Sequence, residues 1–187
     1  MSPNISLEMV LPAETDLLNA LATARDFADV AMRGRPRSLM PQLLVYAFPY
    51  GAEKRELSIF AIGGEFDGQE KGRILKKIGM GMYTRRRLPT HVALVTEAWL
   101  SEDMFEAGRR KYLLPEDDPN RIETITVQLL SLDCRARLNQ RTVRRDAGGR
   151  MEWDGEWDLL EGVQVKTNLL ACFFAGFAAA ARSLREA

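Results

Sequence analysis

The chain has 187 residues, of which 46% are hydrophobic and 28% charged, and its 26 basic side chains balance 26 acidic ones. That length fits one large domain, 1–187, able to bury a core without disulfides or metals, and the composition is that of a soluble globular protein. Two distant cysteines, Cys134 and Cys172, exclude a disulfide framework and read as buried free thiols of a reducing compartment.

The N-terminal MSPNISLEMVLP has no basic region followed by an apolar run, so it does not resemble a signal peptide. After Pro12, Thr15 is placed to cap a helix, with Asp16 in its first turn. Leu17, Leu18, Leu21, Ala24, Ala28, Ala31 and Met32 follow at helical spacing, and Gly34 and Pro36 stop the helix. Extended runs over 42–48 and 55–62 flank PYGAEK, a hairpin loop with Pro and Gly.

Asp67 then caps a helix over 69–83, whose apolar positions are Ile74, Leu75, Ile78 and Met82, while Gly79 and Gly81 weaken its last turns. HVALVTEAWL, 91–100, reads as a strand buried on both faces. A polar connection over 101–120 leads to a second strong strand over 121–132. Further strands are expected over 138–145 and 151–153, with AGG as the turn between them.

The last element, 167–185, is a helix. Its apolar stretch, 169–181, has thirteen uncharged residues where a membrane span needs about 20, so no membrane partner is expected.

The order is α-β-β-α-β-β-β-β-α. It describes a single α+β domain with a mainly antiparallel sheet of five to six strands and three helices packed on it. Profilin-like and roadblock-like domains, many of them interaction modules, are similar in this order of elements alone.

The strand–glycine–helix junction is where phosphate loops occur. Gly63 and Gly68 have the required spacing, but Gln69 and Glu70 stand where Lys and Ser or Thr are needed, so nucleotide binding there is rejected. One histidine and two isolated cysteines do not make a zinc site; the acidic cluster PEDDP at 115–119 is a magnesium candidate that reads better as a turn. No metal or cofactor is expected.

His91 is the sole neutral-pH proton shuttle, and Cys134 lacks an assured base beside it, so no catalytic motif is assigned. Glu97 and Glu123 lie inside apolar strands. They read as cross-strand ion-pair partners, or as the acid and base of a hydrolase.

Charge is segregated along the chain. Between 71 and 96 lie seven basic residues and no acid, whereas 151–165 carries five acids and no base. Such blocks steer partners even at zero net charge.

The first reading is therefore a non-enzymatic cytoplasmic protein-interaction or self-assembling domain, forming a homo-oligomer. Its candidate contacts are Lys76, Lys77, Tyr83, Arg85, Arg86, Arg87, Trp153 and Trp157. The second is a nucleic-acid-binding protein using the basic 71–87 segment and the 135–150 hairpin. The third is the hydrolase using Glu97 and Glu123.

Overall fold

A computed structural model of the chain describes residues 11–63, 68–100, 121–159 and 168–183. Three helices and seven strands fall within them. In chain order they are α1 (Glu14–Met32), β1 (Gln42–Pro49), β2 (Glu56–Ala61), α2 (Gly68–Thr84), β3 (Arg87–Leu100), β4 (Ile122–Ser131), β5 (Ala136–Arg145), β6 (Met151–Trp153), β7 (Asp158–Leu159) and α3 (Asn168–Ser183). Every strand pairing is antiparallel, and the order is β2-β1-β3-β4-β5-β6, with β7 beside β6 on the outer side of β5.

The central strands are apolar on both faces because helices cover both. Leu44, Ala93, Val95, Ile125, Val127 and Leu129 point to α1, where they meet Leu17, Leu21, Ala24 and Ala28. Leu43, Val45, Val92, Leu94 and Leu130 point the other way, to Leu75 and Met82 of α2 and Leu170 and Phe173 of α3. Full burial stabilises each such Leu or Phe by roughly 1.5–3 kcal/mol.

Several local features differ from the sequence reading. Helix α1 starts before Thr15: Ala13 is its N-cap, and Asp16 reaches back to accept the Ala13 N–H at 2.8 Å. Asp16 thus supplies the N3 half of a capping box, accepting the N-cap residue's own N–H, while Ala13 has no side-chain acceptor for the first-turn amides.

Strand β3 begins at Arg87, because a bulge opposite Tyr46 and Ala47 lets the chain pass Thr90 and keep pairing as far as Pro49. Asp154-Gly155, a two-residue hairpin signal in the sequence, forms only a bend, with Gly155 at φ +101°, and its flanking strands each pair with β5 rather than with one another.

Gly79 does more than weaken α2, since it sets how closely α2 and α3 approach. A Cβ there would sit 2.0 Å from the Phe173 carbonyl oxygen, and one on Gly176 would sit 2.0 Å from that of Lys76. Neither thiol is fully buried. Cys134 is exposed at the left-handed position of the β4–β5 turn (φ +65°), and Cys172 lies half-buried on α3 facing Gly72. No helix among the described residues is long and apolar enough to cross a membrane.

Candidate interaction surface

Helix α2 buries Gly72, Leu75, Gly79 and Met82, which puts Arg73, Lys76, Lys77 and Met80 on its solvent side. Arg85 and Arg86 follow, exposed, in the turn to β3, where Arg86 adopts φ +54° and its carbonyl accepts the Tyr50 N–H. None of Arg73, Lys76, Lys77, Arg85 and Arg86 forms an ion pair among the described residues.

Within the 71–87 segment, two members of the sequence-derived set behave differently. Arg87 is tied to Glu56 at 2.7 Å, and Tyr83 is half-buried with its ring edge-on to Phe177, centroids 5.6 Å apart. Arg73 and Met80 complete the surface. The helical period could have found both, since each lies three or four residues from Lys76 or Lys77.

Five of the six arginines of the 135–150 hairpin are ion-paired within the fold, and Arg150 is exposed. Arg135 and Arg137 hold Glu14, Arg135 also holds Asp133, and Arg141 reaches Asp29. Arg144 and Arg35 share Glu152.

Arg145 bridges Glu123 (2.7 Å) and Glu97 (3.8 Å), so the two glutamates do share the α1 face, with a guanidinium between them. Glu97 also accepts the Leu39 backbone N–H. An open cleft of about 490 Å³ next to them is lined by Arg121, Ile122, Glu123, Thr142, Val143, Arg145 and Asp154; Glu97 is not among these.

Trp153 and Trp157 pack edge-to-face, centroids 5.4 Å apart, against the core under α1. Arg141 lies over the Trp153 ring, and the Trp157 indole N–H donates to Asp29. Asp154, Glu156 and Asp158 remain exposed around them.

His91 is buried on the α1 face, stacked on Tyr46 at 4.4 Å, with Nδ1 3.0 Å from the Thr90 hydroxyl. Burial lowers its pKa to about 4; the nearby Arg55 and Arg135 charges add to the shift and Asp16 opposes it. Asp16 is itself lowered. Burial would raise it, but the Arg55 guanidinium at 2.6 Å and the Ala13 N–H outweigh that.

Among the described residues no group of three or more His, Cys, Asp or Glu side chains is placed to hold a metal ion. The PEDDP cluster lies outside the described residues. Comparison with protein-family models, curated proteins and solved structures finds nothing that matches this chain.

Proposed function

We propose that the protein is a cytoplasmic, non-enzymatic binding domain whose α2 surface docks an acidic segment of a protein partner. The observation that carries this reading is the cluster of exposed cations, Arg73, Lys76, Lys77, Arg85 and Arg86, with no carboxylate of the described residues to neutralise them. Such a surface raises encounter rates with an oppositely charged partner and rejects like-charged ones. Met80, 41% exposed in its midst, adds an apolar contact.

Two features favour protein over nucleic acid. Tyr83 is packed on Phe177 instead of standing free to stack a base, and five of the six hairpin arginines that would extend a phosphate-binding surface are ion-paired.

Affinity capture from the native host tests the reading, with the wild-type chain set beside an Arg73→Glu/Lys76→Glu/Lys77→Glu variant. A captured protein that survives nuclease treatment and is lost with the variant supports it. Equal capture by both chains, or capture abolished by nuclease, overturns it.

A further inference from the structure

Strand β2 ends the sheet, and its outer side is unpaired among the described residues. Ile62 donates its N–H to the Pro41 carbonyl at 2.8 Å, continuing the β1–β2 register by one pair. Residues in an antiparallel ladder alternate between those whose N–H and C=O face the partner strand and those whose groups face away. Glu56, Ser58, Phe60 and Ile62 therefore turn theirs inward to β1, and Leu57, Ile59 and Ala61 turn theirs outward. The same three residues stand opposite Tyr46, Leu44 and Gln42, so their side chains share the α1 face; Leu57 is 41% exposed and Ile59 44%.

Natural edge strands are protected by brevity, Pro, Lys or bulges. The opposite edge of this sheet has that protection: the outer side of β5 is covered by β6 and β7, three and two residues long. From 57 to 61 β2 reads LSIFA, with none of these devices.

We infer that β2 is a dimerisation edge, pairing antiparallel with β2 of a second copy so that the two sheets become one. The register that fits sets Ile59 opposite Ile59 and Leu57 opposite Ala61 of the second copy. It satisfies every outward N–H and C=O of the three residues and joins their side chains into one apolar row. Charge does not oppose it: the flanking Arg55 and Glu56 are already paired within the chain, with Asp16 and Arg87. This surface is separate from the cations of α2 and stands whether or not they bind an acidic partner.

Sedimentation equilibrium from low to high micromolar concentration, in low and high salt, tests it on the full chain. The apparent mass should rise towards twice that of the monomer in both salts. Ile59→Lys should hold it at the monomer value. Ile59→Pro should do the same without breaking the β1 ladder, because the lost N–H is an outward one.

Hydrogen exchange supplies a second reading: the amides of Leu57, Ile59 and Ala61 should gain protection as concentration rises. A chain monomeric throughout overturns the inference and leaves the edge to a strand from another protein. A dimer that ignores Ile59→Lys, or one that salt alone dissolves, overturns it in favour of association through charge.

Discussion

Along β5 and the turn before it, Arg135, Arg137, Arg141 and Arg145 each reach a carboxylate supplied by α1, β3, β4 or that turn. Along α2, Arg73, Lys76 and Lys77 are as closely spaced and reach none among the described residues. The neighbours make the difference. The α1 side of the sheet brings Glu14, Asp29, Glu97 and Glu123 within range of the arginines, whereas α2 packs along α3, NLLACFFAGFAAAARS, which has no acid. A dense run of positive charge therefore says little about availability; what packs beside it decides.

The contrast depends on α3 holding α2 in place. Phe173 is fully buried between them and the sheet, so Phe173→Ala should cost about 3–5 kcal/mol. That is a large share of the roughly 5–15 kcal/mol of a typical domain, and chemical denaturation would measure it. A loss below about 1 kcal/mol would make α3 peripheral and remove the platform that presents the cations. Half-buried Phe174 and Phe177 at the rim should cost less.

Much of this platform is legible in the sequence. The helical periods of α1 and α2 and the apolar runs of β1, β3 and β4 give the α+β architecture, because burial on both faces leaves a continuous apolar signature; the two-residue β7 carries no such signature and lies beyond the five to six strands expected. What sequence does not carry is pairing between distant elements. Arg135 and Glu14 lie far apart in the chain, so the hairpin looks as basic as α2 until α1 is laid over the sheet. Gly79 likewise looks like a local weakness, and only the approach of α3 gives it a purpose. Trp153 and Trp157 look like an exposed pair until α1 is seen to cover them.

Acid sensitivity should single out the α1 side. His91 is buried with Asp16 of α1, Arg55 before β2 and Arg135 of the β4–β5 turn as its charged neighbours, and no α2 cation enters. Its folded-state pKa of about 4 lies below the ordinary 6.5, so the unfolded chain binds the extra proton between those values. Stability is then complete above pH 6.5 and falls as pH drops towards 4, by on the order of 3 kcal/mol. Denaturation at several pH values should show that slope, and His91→Phe, which keeps the stack on Tyr46, should flatten it. An unchanged slope in the variant would assign the sensitivity to other groups.

The smallest effect isolates the contrast itself. Removing Arg145 leaves Glu97 and Glu123 facing one another without the guanidinium that joins them. The two carboxylates are partly buried and the guanidinium is more exposed, so Arg145→Ala should cost about 1–2 kcal/mol, between the exposed and buried limits for ion pairs. Arg73→Ala and Lys77→Ala remove the same unit of charge from a surface with no carboxylate partner among the described residues, and should change stability by less than about 0.5 kcal/mol. Matched urea titrations decide between them, because both changes shorten a cationic side chain and differ in what it touches. Equal losses at Arg145 and Lys77 would mean that the cations of α2 are held within the fold as firmly as those of the hairpin, and the case for a docking surface would fall with the contrast.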